Sequence, residues 1–167
     1  MEYSELFRYE DGKLFWKVSP SRKVRAGDSA GSMGKDYMRV GYKGSTAIFI
    51  HKIVWELHHG PVPYGMRIDH INRDKLDNRI ENLRLATAAQ NSHNSRQAGG
   101  SSKYKGVYKA GWDENKWFAK MTFGGKQMYF GTYSTEEDAA RAINKAYLEH
   151  HGEYANLNEF EGKIHNV

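Results

Sequence analysis

Along the first fifty residues, apolar side chains alternate with polar ones, which is the period of a strand with one buried face. This alternation predicts three strands, at 13–18, 37–42 and 46–50. After the third strand the period changes, and apolar residues recur at the spacing of one helix face. A helix is therefore predicted over 50–59. It should end at Gly60, because glycine readily closes a helix and the prolines that follow cannot continue it.

The next stretch combines short apolar runs with many Asp and Asn residues. A first run ends in Asp69 and His70, and after a polar loop a second run covers 82–85. Asp and Asn favour loops because their side chains hydrogen-bond to nearby backbone. Thr87 followed by Gln90 has the form of a capping box, which marks the start of a helix. The predicted order is strand, loop, strand, helix.

Beyond a segment rich in glycine and serine, alternating runs predict three more strands, at 105–110, 116–123 and 126–133. A Gly-Gly pair joins the last two as a hairpin. In the middle run one face is apolar, and the other carries Phe118, Lys120 and Thr122. Ser134 and Glu137 have the form of a second capping box, so we predict a helix that packs on one face of this sheet.

These patterns predict an α+β protein with two units. The chain is long enough for two small domains. The first is expected at 1–95, with a β-rich N-terminal part. Residues 96–103 are interpreted as a Gly/Ser linker. The second is expected at 104–167, as a three-stranded antiparallel sheet packed on one helix.

Composition favours a basic protein with an anionic partner, since 167 residues carry a formal charge of +5 and the pI is near 9.3. Segment 101–133 has six bases against two acids, whereas 134–167 has three against seven, which predicts an oriented nucleic-acid surface. The absence of cysteine excludes disulfides and thiolate zinc sites. Because we find neither a signal peptide nor a long apolar run, we expect a cytoplasmic protein with no membrane partner.

Asp69, His70 and Asn91 together suit metal-assisted chemistry on a phosphate, although any one of them alone would be typical of a polar loop. A carboxylate from Asp69 and an amide oxygen from Asn91, with water and phosphate completing the shell, suit Mg²⁺. A neutral imidazole at His70 is a good general base. Asn82 could hold that imidazole in one tautomer. His51, beside the apolar stripe of the predicted helix, is interpreted as a structural histidine under the site.

This pattern resembles the HNH endonucleases, a ββα-metal family, and within it the phage-type homing endonucleases. The resemblance covers 50–55, 68–72, 78–83 and 87–91. It implies a ββα-metal core in which Asp69 and Asn91 are metal ligands and His70 is the base. Asn82 matches a structural or His-orienting position. The implied cofactor is Mg²⁺, for which Mn²⁺ can substitute, and not zinc.

The second unit resembles the AP2/ERF DNA-binding domain. The residues that carry this resemblance are 104–107, Trp117, Ala119, 129–133, 137–142, Gly152 and 155–158. It implies a sheet that lies in the major groove of double-stranded DNA. The DNA-facing positions would be Lys105, Tyr108, Trp112, Lys120, Thr122, Gln127 and Tyr129. Several positions that are Arg in the plant proteins are Tyr, Thr or Gln here, so the plant target sequence is not implied.

Basic side chains outside these motifs are further candidates for contact with DNA phosphates. They are Arg22, Lys23 and Arg25 in a loop, Arg39 and Lys43 on or beside a strand, and Lys126 in the second unit. Each alone is equally typical of a solvated surface. As a group beside a nuclease-type site, they favour DNA contact.

The leading hypothesis is a phage-type, Mg²⁺-dependent homing endonuclease in a bacterial or phage-infected cell. Water activated by His70 would cut double-stranded DNA, leaving 5′-phosphate and 3′-hydroxyl ends. One site per chain favours a monomer that nicks one strand, and cutting both would need a dimer or a second visit. An alternative is a non-catalytic DNA-binding regulator with a vestigial motif, against which the intact site residues argue. A structured-RNA binder is a third, disfavoured by the AP2 resemblance.

Overall fold

The computed structural model describes residues 2–93 and 101–160 and shows a mixed α+β fold of small antiparallel sheets and few helices. The chain divides into two compact units, 1–91 and 92–167, each with a hydrophobic core of its own. The predicted linker, 96–103, lies mostly outside the described residues. Within the described part, no helix has the length and apolar character needed to span a membrane.

The first unit begins with a short helix and two small sheets. Helix α1 spans Tyr3–Leu6, and the first sheet contains β1 (Phe7–Glu10), β2 (Lys13–Trp16) and β3 (Ser29–Ala30). The second sheet contains β4 (Ser32–Met33), β5 (Met38–Val40) and β6 (Ile48–Phe49). The three predicted strands are confirmed in position, but they are shorter than predicted. Beyond β5 the chain turns back, because Tyr42 and Ser45 hydrogen-bond to each other.

Helix α2 (Ile50–His59) is central to the core of the first unit. It buries Ile50, Ile53 and Val54 among apolar residues of the first sheet and its neighbours, which confirms the predicted helix and its apolar face. The helix ends at Gly60, whose φ is 77° and whose amide donates to the carbonyl of Glu56 at 3.1 Å.

A pair of strands and a short helix follow α2, in the predicted order. Strands β7 (Met66–His70) and β8 (Leu83–Thr87) are antiparallel, and helix α3 (Ala88–His93) begins directly after β8. The capping box is confirmed. The amide of Thr87 donates to the side chain of Gln90 at 2.8 Å, and the amide of Gln90 donates to the Thr87 hydroxyl at 3.2 Å.

The second unit is a sheet covered on one face by a helix. Strands β9 (Val107–Lys109), β10 (Trp117–Phe123) and β11 (Lys126–Tyr133) are antiparallel in the order β11-β10-β9, and helix α4 spans Glu136–His151. The core consists mainly of Ala119 and Met121 from β10 and of apolar residues from α4. The predicted alternation in the middle strand is confirmed at these two positions.

The cap of α4 lies one residue later than predicted, so the Ser134–Glu137 box is wrong. The N-cap is Thr135, whose hydroxyl oxygen accepts the amide of Asp138 at 3.1 Å. Glu136, the first residue of the helix, uses its carboxylate elsewhere: it accepts the Ser102 hydroxyl at 2.5 Å and the Lys103 amide at 3.1 Å.

Strand β11 contains one extra residue relative to β10. Phe118 pairs with Thr132 and Lys120 pairs with Tyr129, so two steps on β10 correspond to three on β11. Gly131, with a φ of 105°, lies in this bulge. The bulge places Tyr129 and Thr132 on the same face, where their hydroxyls hydrogen-bond to each other.

Candidate active site and nucleic-acid face

Asp69 and His70 are the last two residues of β7, and both side chains are buried, with 5% exposure each. Burial of two polar side chains is costly unless each finds partners. Their opposite neighbours on β8 are Arg84 and Leu83. Asp69 and His70 therefore contact different groups, and these contacts determine the chemistry of each side chain.

The carboxylate of Asp69 forms an ion pair with Arg84. Both Nε and Nη2 of Arg84 donate to Asp69 Oδ2 at 2.9 Å, and both side chains are nearly inaccessible to water. Hydrogen bonds between charged groups are shorter and stronger than bonds between neutral ones, so this pair fixes the carboxylate in place. Sequence reasoning missed Arg84. The strand register was the signal for it, because residues directly opposite on two antiparallel strands share a face.

The imidazole of His70 is held by Asn78. His70 Nε2 and Asn78 Oδ1 are 3.3 Å apart, and the Asn78 amide nitrogen donates to the carbonyl of Leu76 at 3.1 Å. This second bond turns the amide so that its oxygen faces the ring. An oxygen acceptor at Nε2 selects the tautomer that carries its proton there, which leaves the lone pair on Nδ1.

The ring of His70 is neutral at neutral pH, because burial lowers its pKa below the ordinary value of 6.5. The hydrogen bond to Asn78 and the nearby carboxylates, Asp69 first among them, act in the opposite direction but are outweighed. A neutral imidazole with a lone pair on Nδ1 can accept a proton.

The side-chain amide of Asn82 hydrogen-bonds to Asn72 and Asp77, and the amide oxygen that faces the His70 ring is that of Asn78. The Asn82 amide is buried and engaged in the loop between the strands. Oδ1 accepts the Asn72 amide at 3.0 Å, and Nδ2 donates to Asn72 Oδ1 at 3.0 Å and to the Asp77 carbonyl at 2.8 Å. Asn82 therefore holds the loop that carries Asn78 to the histidine.

The same loop is closed by an ion pair. Arg79 donates twice to the carboxylate of Asp77, with both distances 2.8 Å, and this lowers the pKa of Asp77 to about 2. Asp77 also accepts the side-chain amide of Asn72 at 2.7 Å. The turn-forming residues predicted from sequence therefore build a hydrogen-bonded scaffold beneath the histidine.

Two histidine rings meet under the site. His51, from α2, contacts His70 edge-to-face with ring centroids 5.1 Å apart. Its Nδ1 is buried and has no hydrogen-bond partner among the described residues. Burial first, and then the neighbouring His70, lower its pKa to about 4. This agrees with a structural histidine packed under the site, as the sequence indicated.

Aromatic side chains complete that cluster, and sequence reasoning missed them. Tyr37 lies 5.3 Å from His51 and 6.1 Å from His70, ring to ring, and the Nζ atom of Lys75 lies 5.0 Å above the Tyr37 ring. Phe49 stacks on His51 at 5.3 Å. Tyr37 and Lys75 come from separate loops, which is why no sequence spacing indicated them.

Asn91 lies on α3, directly after the capping box, and is half-buried. Asp69 and Asn91 together offer one carboxylate and one amide, the hard oxygen donors that Mg²⁺ takes. Among the described residues, no group of three or more His, Asp or Glu side chains is arranged to hold a metal ion. One carboxylate and one amide are too few to fill the shell of a divalent cation, so an ion held by them would take its other ligands from water and phosphate. The Asp69 carboxylate is also shared with Arg84.

The basic side chains of the first unit that were predicted to contact DNA lie in different parts of that unit. Arg39 lies over the ring of Phe49 at 4.9 Å and so belongs to the cluster under His70. The Nζ atom of Lys43 lies over the ring of Tyr42 at 5.1 Å. Arg22, Lys23 and Arg25 are exposed in the loop between β2 and β3. Of these five, Arg39 is thus placed beside the histidine cluster through Phe49.

In the second unit, the sheet face opposite α4, here called the open face, carries most of the residues predicted to contact DNA. Register and alternation place seven side chains on it: Tyr108, Phe118, Lys120, Thr122, Gln127, Tyr129 and Thr132. Trp112, from the turn between β9 and β10, joins them by stacking on Phe118 with centroids 5.7 Å apart. Trp112 is 69% exposed and is not a core residue.

Two predicted DNA contacts lie elsewhere. The Nζ atom of Lys105 lies 5.3 Å above the ring of Tyr147, a core residue of α4. Lys126 pairs with Phe123, whose ring contacts His150 on α4 at 4.9 Å, so Lys126 shares the helix-side face of the sheet. Neither side chain belongs to the open face.

Comparison with known proteins identifies the class. Residues 49–93, which contain α2, β7, β8 and most of the site, match the HNH endonuclease family model. The chain belongs to the HNH endonuclease family and has viral relatives. HNH nucleases are generally metal-dependent, and their substrate is DNA.

Two viral proteins are similar over most of this chain. One is an uncharacterized HNH endonuclease of Acanthamoeba polyphaga mimivirus, 37% identical over 68% of this chain and 56% of the relative. The other is Protein 3.8 of Escherichia phage T7, 35% identical over 63% of this chain and 86% of the relative. This chain thus spans just over half of the mimivirus protein.

A third similarity reaches only part of the chain. An AP2-like ethylene-responsive transcription factor of Arabidopsis thaliana is 42% identical in an alignment of length 67 that covers 35% of this chain and 22% of the plant protein. No solved structure matches the chain.

Proposed function

We propose that the protein is a Mg²⁺-dependent DNA endonuclease in which His70 is the general base. The observation that carries this proposal is the state of His70: buried, neutral, and fixed through Nε2 by Asn78 beside Asp69. A base must be unprotonated at the working pH and oriented towards the group it activates. Burial, which lowers the pKa of His70, and the hydrogen bond to Asn78, which fixes its ring, support these two conditions.

The reaction is hydrolysis of a phosphodiester. The Nδ1 lone pair of His70 takes a proton from water, and the hydroxide formed attacks phosphorus in line with the leaving 3′ oxygen. The bond from phosphorus to that oxygen breaks, and the oxygen takes a proton from solvent, so the products carry 5′-phosphate and 3′-hydroxyl. Asp69 and Asn91 would hold a divalent cation, which supplies positive charge beside the phosphate and the leaving oxygen.

The second unit would supply DNA affinity, which makes the enzyme a site-specific, homing-type nuclease. Support comes from the open face, where aromatic rings and Lys120 lie opposite the acidic helix, and from the similarity to a plant protein whose name describes a transcription factor. With one site per chain, a monomer would nick one strand.

A nicking assay on supercoiled plasmid tests the proposal, with Mg²⁺ and with EDTA. We expect Mg²⁺-dependent nicking by the full chain and its loss in His70→Ala, with DNA affinity nearly unchanged because the base acts in the transition state. His59→Ala is the matched control, since His59 is an exposed histidine at the end of α2. Nicking that survives in His70→Ala, or persists in EDTA, would refute the mechanism.

A DNA-binding protein without nuclease activity is the second candidate. The Arg84–Asp69 ion pair favours it, because the guanidinium already occupies the carboxylate oxygen Oδ2. In that case the full chain would bind DNA but would not nick it at any Mg²⁺ or Mn²⁺ concentration. Asp69→Ala and Asn91→Ala separate the two candidates further. For an enzyme, both variants should raise the Mg²⁺ concentration needed for half-maximal nicking.

A further inference from the structure

The turn that joins β1 to β2 is a tight loop of two residues. Asp11 and Gly12 form it, and both have a positive φ, 44° and 77° respectively. This is the backbone twist that short hairpins prefer, and glycine adopts it without strain. The positive φ explains why a glycine stands in the turn, and the neighbours of Gly12 add a second reason.

Gly12 lies against the backbone of the loop between β7 and β8. A methyl group at Gly12 would be 2.9 Å from the amide nitrogen of Arg79 and 3.2 Å from the carbonyl carbon of Asn78. Both are backbone atoms, so they cannot rotate away as the end of a side chain can. The absence of a side chain at Gly12 therefore lets the hairpin approach the peptide bond between Asn78 and Arg79.

A hydrogen bond ties the same hairpin to the next residue of the loop. The amide of Ile80 donates to the hydroxyl of Tyr9, in β1, at 3.0 Å. Ile80 begins a short 3₁₀ turn, Ile80–Asn82, and the side chain of its N-cap residue, Arg79, forms no capping bond. An amide at the start of a helical turn needs an acceptor from elsewhere. Tyr9 supplies that acceptor from the far side of the first unit's sequence.

These contacts end one step from the proposed general base. Asn78 Oδ1 lies 3.3 Å from His70 Nε2, and this bond fixes the ring and its tautomer. The two residues that follow Asn78 are the ones that the hairpin holds, the first through Gly12 and the second through Tyr9. The orientation of the imidazole therefore depends on a hairpin near the start of the chain.

The hairpin lies outside the part of the chain that matches the HNH family. That match covers 49–93, whereas Tyr9 lies in β1 and Gly12 in the turn after it. The matched segment contains the residues of the proposed chemistry. The support of the loop that carries Asn78 comes partly from residues that the match does not include.

We propose that the hairpin of β1 and β2 positions the nuclease site, with Gly12 and Tyr9 setting the orientation of His70 through Asn78. The inference rests on the proposed function in taking His70 as the general base. Gly12 and Tyr9 are positioning residues and not catalytic ones, because each acts through the backbone that follows Asn78.

Gly12→Ala and Gly125→Ala form a matched pair of variants. Gly125 has the corresponding place in the two-residue turn between β10 and β11, with a φ of 76°, but a methyl group there would meet no heavy atom of the described residues within 4 Å. Both variants therefore introduce similar backbone strain, and only Gly12→Ala pushes on the loop.

The measurement is the single-turnover nicking rate of the full chain on supercoiled plasmid, at saturating DNA and Mg²⁺. Gly12→Ala should lower this rate about tenfold or more, because a small displacement of a reacting group is costly. Gly125→Ala should keep the wild-type rate. DNA affinity in EDTA should be nearly the same in both variants, since the base contributes little to binding.

Tyr9→Phe is a milder variant with a control of its own. It removes the acceptor of the Ile80 amide but keeps the ring, whose centroid lies 4.6 Å from that of His58 in an edge-on contact. Tyr133→Phe removes a comparable hydroxyl in the second unit, one that donates to the carbonyl of Phe130. Tyr9→Phe should lower the nicking rate several-fold, and Tyr133→Phe should not change it.

The ring of His70 gives a readout that does not depend on nicking. In the full chain labelled with nitrogen-15 at histidine, the chemical shifts of the two ring nitrogens show which one carries the proton. The signals of His70 are those that disappear in His70→Ala. We expect one tautomer, protonated at Nε2, in the wild type and both controls, and a mixture of two in Gly12→Ala and Tyr9→Phe. A merely structural role would lower the melting temperature without changing this tautomer.

Equal nicking rates in Gly12→Ala and Gly125→Ala would overturn the proposal, as would a wild-type tautomer of His70 in both Gly12→Ala and Tyr9→Phe. If Gly12→Ala does not fold, the rate and the tautomer in Tyr9→Phe decide the matter. Failure of the proposed function has a different signature. In that case the wild type does not nick plasmid with Mg²⁺, while the tautomer of His70 still shows whether the hairpin positions the ring.

Discussion

His70 shows how burial and one hydrogen bond set the chemistry of a single residue. Burial lowers its pKa, and the bond to Asn78 assigns the proton to Nε2. The first effect keeps the ring neutral at physiological pH, and the second turns the basic nitrogen away from Asn78. Neither effect requires residues outside the first unit.

The pH dependence of nicking should report this lowered pKa. The neutral form is the active base and predominates above the folded-state pKa, which lies below 6.5. The single-turnover rate at saturating Mg²⁺ should therefore be flat through neutral pH and should fall only at pH values below 6.5. A rate that already declines between pH 8 and pH 7 would contradict a neutral, buried His70.

Asn78 and Asn82 should give different phenotypes although both are buried amides of one loop. Asn78→Ala removes the partner of His70, and loss of such an orienting contact should lower the nicking rate about 10- to 100-fold. Asn82→Ala removes three hydrogen bonds of the loop and should lower the free energy of unfolding by about 2 kcal/mol.

Rate measurements and thermal melts on both variants check this division. Asn78→Asp is the informative control, because it keeps an acceptor but adds a negative charge, which raises the pKa of His70. In the Asn78→Asp variant, the fall of the nicking rate at acidic pH should therefore begin at a higher pH than in the wild type. Equal rate losses in Asn78→Ala and Asn82→Ala, with equal melting temperatures, would count against separate roles.

At this scale the sequence located the site but not its contacts. The adjacency of Asp69 and His70 and the turn-forming loop after them were visible in the chain. The choice between Asn78 and Asn82 was not, because it depends on how the loop folds back, including a positive φ of 65° at Arg73. The contact between Arg84 and Asp69 could not be predicted for a related reason. It depends on the register of the two strands that this loop joins.

Helix α3 shows how a short element depends on its first turn. It has six residues, too few for a helix that is stable alone, and it carries Asn91. The Thr87–Gln90 capping box satisfies amides at its start. The position of Asn91 therefore depends on the capping box that immediately precedes it in the chain.

Thr87→Ala should raise the Mg²⁺ concentration needed for half-maximal nicking, because the lost cap costs about 1 kcal/mol and loosens the turn that holds Asn91. Thr135→Ala is the matched control: it removes the N-cap of α4 in the second unit. A Mg²⁺ titration of the nicking rate for the two variants decides the matter. An unchanged Mg²⁺ midpoint in Thr87→Ala would show that the cap does not control the position of Asn91.

Elements with strong periodicity were predicted well. The apolar faces of α2 and α4 and the alternation in β10 followed from spacing alone. Strands β3 and β4 were missed because two residues give too few positions for an alternating pattern, and the four-residue strand β1 was missed as well. The cap of α4 was misplaced by one residue because consecutive Ser134 and Thr135 are both good caps, and only the backbone conformation separates them.

At the scale of the whole molecule, the main feature is that each unit has its own hydrophobic core. Ile53 is fully buried in the first core and Ile143 in the second. Separate cores allow separate unfolding, so a two-state description of the full chain is not expected.

Matched substitutions should show this independence. Ile53→Ala and Ile143→Ala should each cost about 3 kcal/mol in their own unit. Calorimetry should give two transitions, of which each variant lowers one. At temperatures where only the second unit has melted, the Ile143→Ala variant should still nick DNA in the presence of Mg²⁺. The nicking should be weaker only by the DNA affinity that the folded second unit contributes. One transition, shifted equally by both variants, would show a single cooperative unit.

The bulge in β11 has a consequence for insertions and deletions. Gly131 is the extra residue, and a methyl group there would lie 3.0 Å from the Tyr133 hydroxyl at a φ of 105°, so even Gly131→Ala is strained. Removal of Gly131 would instead restore strict alternation, with Thr132 still on the open face and Tyr133 still on the core side. At this position, losing a whole residue should disturb the protein less than gaining one carbon atom.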